Sequence, residues 1–178
     1  MTYLHMADAA YAAAIPPGFQ VAAGYYGGPN AYHVWPTADW GRFPGMRLPI
    51  WVGGDAGAEE GALAVDALRR FPGGVPRGCI TVLDMETRVD KTYVAAFGIV
   101  LQDAGYKVWV YGSASTVFSN PELNGYWVAD YTGQPFMHPA VGVRATQYAA
   151  GLPGAGGGQY DASLVKPWVA PFLWTGSA

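Results

Sequence analysis

The clearest pattern along the chain is the stretch Ile80-Thr81-Val82-Leu83-Asp84-Met85-Glu86-Thr87. It begins as a short apolar, β-branched run and ends in two carboxylates two residues apart. On a strand, side chains alternate faces, so Ile80, Val82, Asp84 and Glu86 share one side and Thr81, Leu83 and Met85 the other. Both sides are apolar in the first half, as in a strand buried on both faces. Similar short runs predict strands over 2–7 (ending at Asp8), 20–25, 48–52, 107–111, 125–131, 143–148 and 159–165. Between them, 58–71 is an amphipathic helix. Leu63, Ala64, Ala67, Leu68 and Phe71 form its stripe, with acids near its start and arginines near its end. A second helix over 91–104 is capped by Asp90 and stopped at Gly105, with Val94, Phe97, Val100, Leu101 and Ala104 facing inward. Shorter helical turns are predicted over 9–15 and from Ser113 to about 118. The stretches 26–45 and 151–158 read as loops, the first long enough to suggest a functional role.

Strands alternating with helices predict an α/β fold with a parallel sheet, and eight strands predict a closed barrel. A full (β/α)8 barrel takes about 250 residues. With 178 residues, the expectation is a reduced (β/α)8 TIM-like barrel with several short or missing helices, spanning 1–178 as one domain.

Composition narrows the function. Charged residues make up only 13% and hydrophobic ones 51%, which argues against disorder. The 10 Lys and Arg are scattered and the net charge is −3, so no basic stripe offers itself to nucleic acid. Cys79 is the single cysteine, which excludes an internal disulfide and reads as a small buried residue. Residues 1–19 lack a basic segment followed by an unbroken apolar core, so neither a signal peptide nor membrane insertion is expected. The three histidines, His5, His33 and His138, lack metal-ligand spacing. No cofactor or metal is expected. Ser113 and Ser115 have no evident His–Asp partner, and no nucleophile elbow is present.

Acids and amides recur at strand ends instead: Asp8, Asp55, Asp84, Glu86, Asp130, Gln147 and Asp161. Aromatic residues stand beside them: Tyr25, Tyr26, Trp51, Trp109, Tyr111, Trp127, Tyr131, Tyr148 and Tyr160. In parallel α/β folds, ligands bind at the carboxyl ends of strands. Asp84 and Glu86, roughly 6.5–7 Å apart at Cα from the strand rise, form an acid pair suited to glycosidic cleavage, and flat aromatic faces stack on sugars. Trp51 and Trp109 lie mid-strand and are expected in the core.

The chain resembles the glycoside hydrolase family 25 (Chalaropsis-type) lysozymes of bacteria and phages. The resemblance rests on Asp8 at an early strand end, V-L-D-M-E at 82–86, V-Y-G-S at 110–113, W-V-A-D-Y at 127–131, T-Q-Y at 146–148 and Y-D-A-S at 160–163. It departs at the opening, where the family's D-V-S-x-(W/Y)-Q is replaced by Met6-Ala7-Asp8-Ala9-Ala10-Tyr11. A related group of glycoside-hydrolase-like domains shares this fold. The resemblance implies cleavage of the β-1,4 bond between N-acetylmuramic acid and N-acetylglucosamine in the peptidoglycan glycan strand. Glu86 would be the general acid, Asp84 its neighbour, and Asp8 and Asp161 further catalytic acids. Tyr25, Tyr111, Trp127, Asp130, Tyr131, Gln147 and Tyr148 would bind substrate. Burial next to a charged Asp84 is expected to keep the proton on Glu86.

Three readings stay open: a muramidase, acting as a phage lysin or from a phage particle; a non-catalytic glycan-binding or virion or cell-envelope structural module on the same fold; and a barrel active on another β-glycan. Fold alone does not separate them.

Overall fold

The structure, a computed structural model, describes residues 2–86 and 88–176. Eight strands close into one barrel in sequence order: β1 (Leu4–Asp8), β2 (Val21–Gly27), β3 (Met46–Val52), β4 (Ile80–Asp84), β5 (Lys107–Ser113), β6 (Tyr126–Ala129), β7 (Val143–Pro153) and β8 (Gln159–Val165). Four α-helices lie between them: α1 (Thr37–Arg42), α2 (Gly57–Arg70), α3 (Lys91–Asp103) and α4 (Ala114–Ser119). Among the described residues no helix is long and apolar enough to cross a membrane.

β1 to β7 run parallel, but β8 is antiparallel to both β7 and β1. The barrel is therefore mixed and departs from a uniformly parallel one. The cause is the connection. β7 continues past Tyr148 to Pro153, leaving only 154–158 before β8 begins. A parallel crossover needs a dozen residues or more, whereas a hairpin closes over so few.

Two apolar layers follow from strand alternation. Met6, Leu48, Ile50, Ile80, Val82, Trp109, Trp127 and Val165 fill the barrel, and Val169 of the C-terminal 3-10 turn Pro167–Phe172 and Leu173 just after it join them. Leu83, Leu68, Phe97 and Leu101 pack in the outer layer, between wall and helices. Trp51 and Trp109 are both core residues. Cys79 is a buried free thiol.

α2 carries a correction. Its buried face is Gly57, Glu60, Gly61, Ala64, Val65 and Leu68, while Leu63 is 59% exposed. A side chain at Gly57 or Gly61 would collide with Tyr93 or Val100 of α3. Small residues thus let the two helices approach, and that contact rotates the stripe away from Leu63. On α3, Asp90 caps the helix by accepting the Tyr93 N–H at 2.9 Å, and Gly105 takes the left-handed conformation that ends it. The 26–45 stretch contains α1, whose Trp40 is buried against Trp35 and Trp174.

Candidate active site

The carboxyl ends of the strands gather the acids. Along β4, Ile80 and Val82 point into the barrel, so Asp84 follows them inward at its mouth. β1 does the same with Met6 and then Asp8. β8, running the other way, sets Asp161 directly opposite Asp8 in register. Tyr25 on β2 and Tyr111 on β5 complete the upper layer, and Tyr111 is the register partner of Asp84.

Glu86 is not on the strand. β4 ends at Asp84, two residues before the predicted end, and the chain turns through Glu86 at φ 40°, the one non-glycine with positive φ among the described residues. Such a conformation is costly for a side-chain-bearing residue and persists only when the surroundings impose it. Here the neighbours clamp the main chain on both sides. Gly53 N donates to Asp84 O at 2.9 Å, Met85 N to Tyr111 O at 3.1 Å, and Ser113 N to Glu86 O at 3.1 Å. Gly112 lies so close to the Glu86 carbonyl that a Cβ there would collide with it. As a result Glu86 is exposed at the rim.

The burial expected at Glu86 falls on Asp84. Asp84 is 5% exposed, and one of its oxygens accepts the Glu86 N–H at 3.0 Å. Removal from water, then repulsion from Glu86, pushes its carboxyl up to about 7. Asp8 is pushed well above the usual carboxylate range by burial, then by the charges of Asp161 and Asp84. Asp161 is also raised by burial, opposed by hydrogen bonds from the Gly151 N–H at 2.7 Å and the Gln147 amide at 2.6 Å. Burial and the same carboxylates hold the Tyr25 and Tyr111 hydroxyls protonated. Among the described residues, no Lys or Arg is ion-paired with any of these acids.

An open groove of about 530 Å³ is lined by Tyr25, Asn30, Tyr32, His33, Asp84, Met85, Glu86 and Arg88; it reaches the acid cluster at Asp84, while Asp8, Asp161, Tyr111 and Gln147 are not part of its lining. Asn30 is fixed by donating its side-chain amide to Gly53 O at 2.6 Å. His33 is hydrogen-bonded to the Tyr11 hydroxyl at 3.2 Å, and Tyr32 is 97% exposed. Arg88 is engaged: it bonds Gly54 O, pairs with Asp55 at 2.8 Å and Asp90 at 2.7 Å, and stacks over Tyr93. It fastens the loop after β4 to the end of β3.

Of the residues expected from sequence, Asp8, Asp84, Asp161, Tyr25, Tyr111 and Gln147 come together at the mouth, with Glu86 and Tyr131 above them. Tyr131 interacts with the Tyr111 hydroxyl and feels the charges of Asp161, Asp8 and Glu86. Three do not join. Trp127 is 1% exposed, lies beneath Tyr111 at 4.7 Å between ring centres, and donates its indole N–H to Ser163 Oγ at 3.1 Å. It is barrel core. Tyr148 sits at a register shift of β7, and its titratable neighbour is Tyr160. Asp130 contributes its main-chain N–H to Gln147 O at 2.9 Å, but its carboxyl is not among the charges felt by Asp8, Asp84, Asp161, Tyr25 or Tyr111. Asn30, Tyr32, His33 and Arg88 line the groove without any motif in the sequence that marks them as site residues. Only the length of the 26–45 loop pointed toward the first three.

Among the described residues no group of three or more His, Cys, Asp or Glu side chains is arranged to hold a metal ion.

The chain matches no family model and no curated protein. Its fold does match solved structures. An uncharacterized B. stearothermophilus protein superposes with a TM-score of 0.72 at 19% identity, covering 96% of this chain and 100% of that one. A Tat-secreted protein of Mycobacterium tuberculosis, in complex with L-tartrate, gives 0.69 at 15%, covering 97% and 100%. A bacterial lysozyme from Streptomyces coelicolor gives 0.61 at 16%, covering 96% of each. At these identities the likeness establishes a shared barrel, one that a bacterial lysozyme also uses.

Proposed function

We propose that this chain is a glycoside hydrolase of peptidoglycan, an N-acetylmuramidase cleaving the β-1,4 bond between N-acetylmuramic acid and N-acetylglucosamine. The observation that carries this reading is the Asp84–Glu86 pair opening into a groove without a cationic partner. Structural acids are usually paired or fully hydrogen-bonded. These are neither, and burial and then Glu86 push the Asp84 carboxyl up to about 7.

A general acid must hold a proton at working pH. Asp84 meets that requirement, so we assign it proton transfer to the glycosidic oxygen. As the C1–O bond breaks, positive charge grows on the sugar ring, and Glu86 at the rim is the carboxylate that faces it. Water then adds to C1 and releases a proton, which restores the starting state. This exchanges the two roles that the family resemblance implies. Tyr25 and Tyr111, held as hydroxyls, are hydrogen-bond donors to the saccharide.

The test is release of new reducing ends from purified peptidoglycan. Wild type should release them; Asp84→Asn and Glu86→Gln should not, with the fold intact. An aryl glycoside with a good leaving group separates the roles, since it needs no acid. Asp84→Asn should retain turnover on it and Glu86→Gln should lose it. The reverse outcome restores Glu86 as the acid. Binding of peptidoglycan without release of sugar supports a non-catalytic module, a reading favoured by the exposure of Glu86. Delivery by a phage particle belongs to this proposal and is tested by looking for the chain in purified virions.

A further inference from the structure

Tyr32 and His33 line the same groove as Asp84 and Glu86, and both are exposed. Tyr11, exposed as well, backs His33, with ring centres 4.5 Å apart and its hydroxyl 3.2 Å from Nε2. Apolar side chains scattered singly over a surface need no explanation, but rings gathered at a groove mark a binding surface. The loop tip that carries Tyr32 and His33 is held at both ends. On one side Asn30 is tied to Gly53 O, and the Ala31 N–H donates to Gly28 O at 3.1 Å. On the other, Trp35 is buried. Its main-chain N–H donates to Tyr25 O at 2.8 Å, and its indole N–H is shared between Ala9 O at 3.0 Å and Ala10 O at 3.1 Å. Gly24 leaves room for that indole, since a Cβ there would collide with it. A short tip anchored twice presents its rings with little ordering left to lose on binding.

We infer that Tyr32, with the Tyr11–His33 pair beside it, is a stacking subsite for a sugar unit of the glycan strand, the neighbour of the unit held at Asp84 and Glu86. The inference deepens the muramidase reading and rests on it for the polymer concerned. A pyranose has a face of C–H bonds and an edge of hydroxyls. Tyr and His offer the matching combination, a flat apolar face with a polar tip. A greasy partner would ask for aliphatic neighbours, and the tip supplies only Ala31 and Val34. A quaternary ammonium is taken by rings that enclose it, and Tyr32, 97% exposed, encloses nothing. An anionic ligand is disfavoured too, because the guanidinium of Arg88 in the groove is engaged by Asp55 and Asp90.

Calorimetry with the tetrasaccharide of β-1,4-linked N-acetylglucosamine tests this, a probe with no muramic acid linkage to cleave. Wild type should bind it, and Tyr32→Ala should weaken binding at least about fivefold, the scale of one stacking contact. Tyr32→Trp, which keeps a flat face, should bind as wild type does, and Tyr32→Leu, apolar but not flat, should bind like Tyr32→Ala. Absence of binding by wild type, unchanged affinity in Tyr32→Ala, or rescue by Leu as full as by Trp overturns the inference. Turnover of peptidoglycan is read separately. There Tyr32→Ala should raise KM by the same factor and leave kcat within about twofold. Binding that depends on the ring, without release of reducing ends by wild type, keeps the subsite and removes the hydrolase. Release by wild type with Tyr32→Ala unchanged in binding and KM does the opposite.

Discussion

Glu60 and Asp84 are equally buried, each 5% exposed, and the protein treats them in opposite ways. Glu60, on α2, accepts from the Tyr93 hydroxyl at 2.5 Å, the Ala56 N–H at 2.9 Å, the Gly54 N–H at 3.0 Å and the Trp51 indole at 3.4 Å. Burial alone would raise its carboxyl, yet these donors outweigh burial and hold it below the usual range. Asp84 has the Glu86 N–H and a like charge nearby, and it rises to about 7. Burial therefore does not mark a site. The supply of donors does. Glu60 is a fastening between β3, α2 and α3, complete in itself. Asp84 is left short of donors at an open groove, with the orphaned Oδ1 of Asp8 near it, and a ligand can supply what Asp84 is missing.

The largest effect expected from this contrast is on turnover. Asp84→Asn and Glu86→Gln should each lower reducing-end release at least about 100-fold, the scale of a lost proton-transfer group, with unchanged circular dichroism. Full activity in either variant breaks the contrast. Glu60→Ala should do the reverse, costing about 3–5 kcal/mol of stability in urea unfolding, because it strands the Tyr93, Trp51 and Gly54 donors in the interior. A loss under about 1 kcal/mol would mean that the donors re-pair.

The pH dependence of stability sharpens the comparison. Asp84 titrates higher in the folded chain than unfolded, so the fold binds its proton more tightly. The stabilisation is full below the ordinary aspartate range near 4 and is lost as pH rises through about 7. A rise of that size weakens the fold by about 4 kcal/mol. Asp8 and Asp161 act in the same direction. Glu60 acts oppositely: its contribution is full above the unfolded glutamate range and is lost as pH falls through its lowered value. Thermal unfolding should thus peak at mildly acidic pH, and Asp84→Asn should flatten the decline toward pH 8. A wild-type midpoint that rises from pH 5 to 8 contradicts this. The smallest effect is expected at Leu63, three residues from Glu60 but on the solvent face of α2. Leu63→Ser should change stability by under about 0.5 kcal/mol, while Leu68→Ala on the buried face should cost about 2–5 kcal/mol.

Much of this was legible in the chain. Period-two alternation placed Asp8 and Asp84 at strand ends, because each follows apolar residues of the same face; Asp161 lies near the start of its strand, with only Gln159 before it on that face. Eight apolar runs gave eight strands, and Asp90 and Gly105 bracketed α3 as their chemistry dictates. The direction of β8 was not legible. It depends on β7 running on through Ala149-Ala150-Gly151-Leu152-Pro153, a run whose glycine and proline read as loop. The exposure of Glu86 was hidden because a left-handed glutamate leaves no mark in composition. It follows from hydrogen bonds to Gly112-Ser113 and Tyr111, which only the barrel brings near. Trp127 carried the same signal as any strand-end aromatic, and its burial depends on Tyr111 lying above it. The rotated face of α2 was set by Gly57 and Gly61 meeting α3, a contact no single-helix periodicity contains.

A carbon-13 NMR titration of the side-chain carboxyls, with Asp84 and Glu60 assigned in the same sample, tests the account most directly. Asp84 should titrate near 7 while Glu60 titrates below an ordinary glutamate. Asp84 moving with the exposed aspartates would contradict the claim that the mouth of the barrel is built from acids left wanting donors.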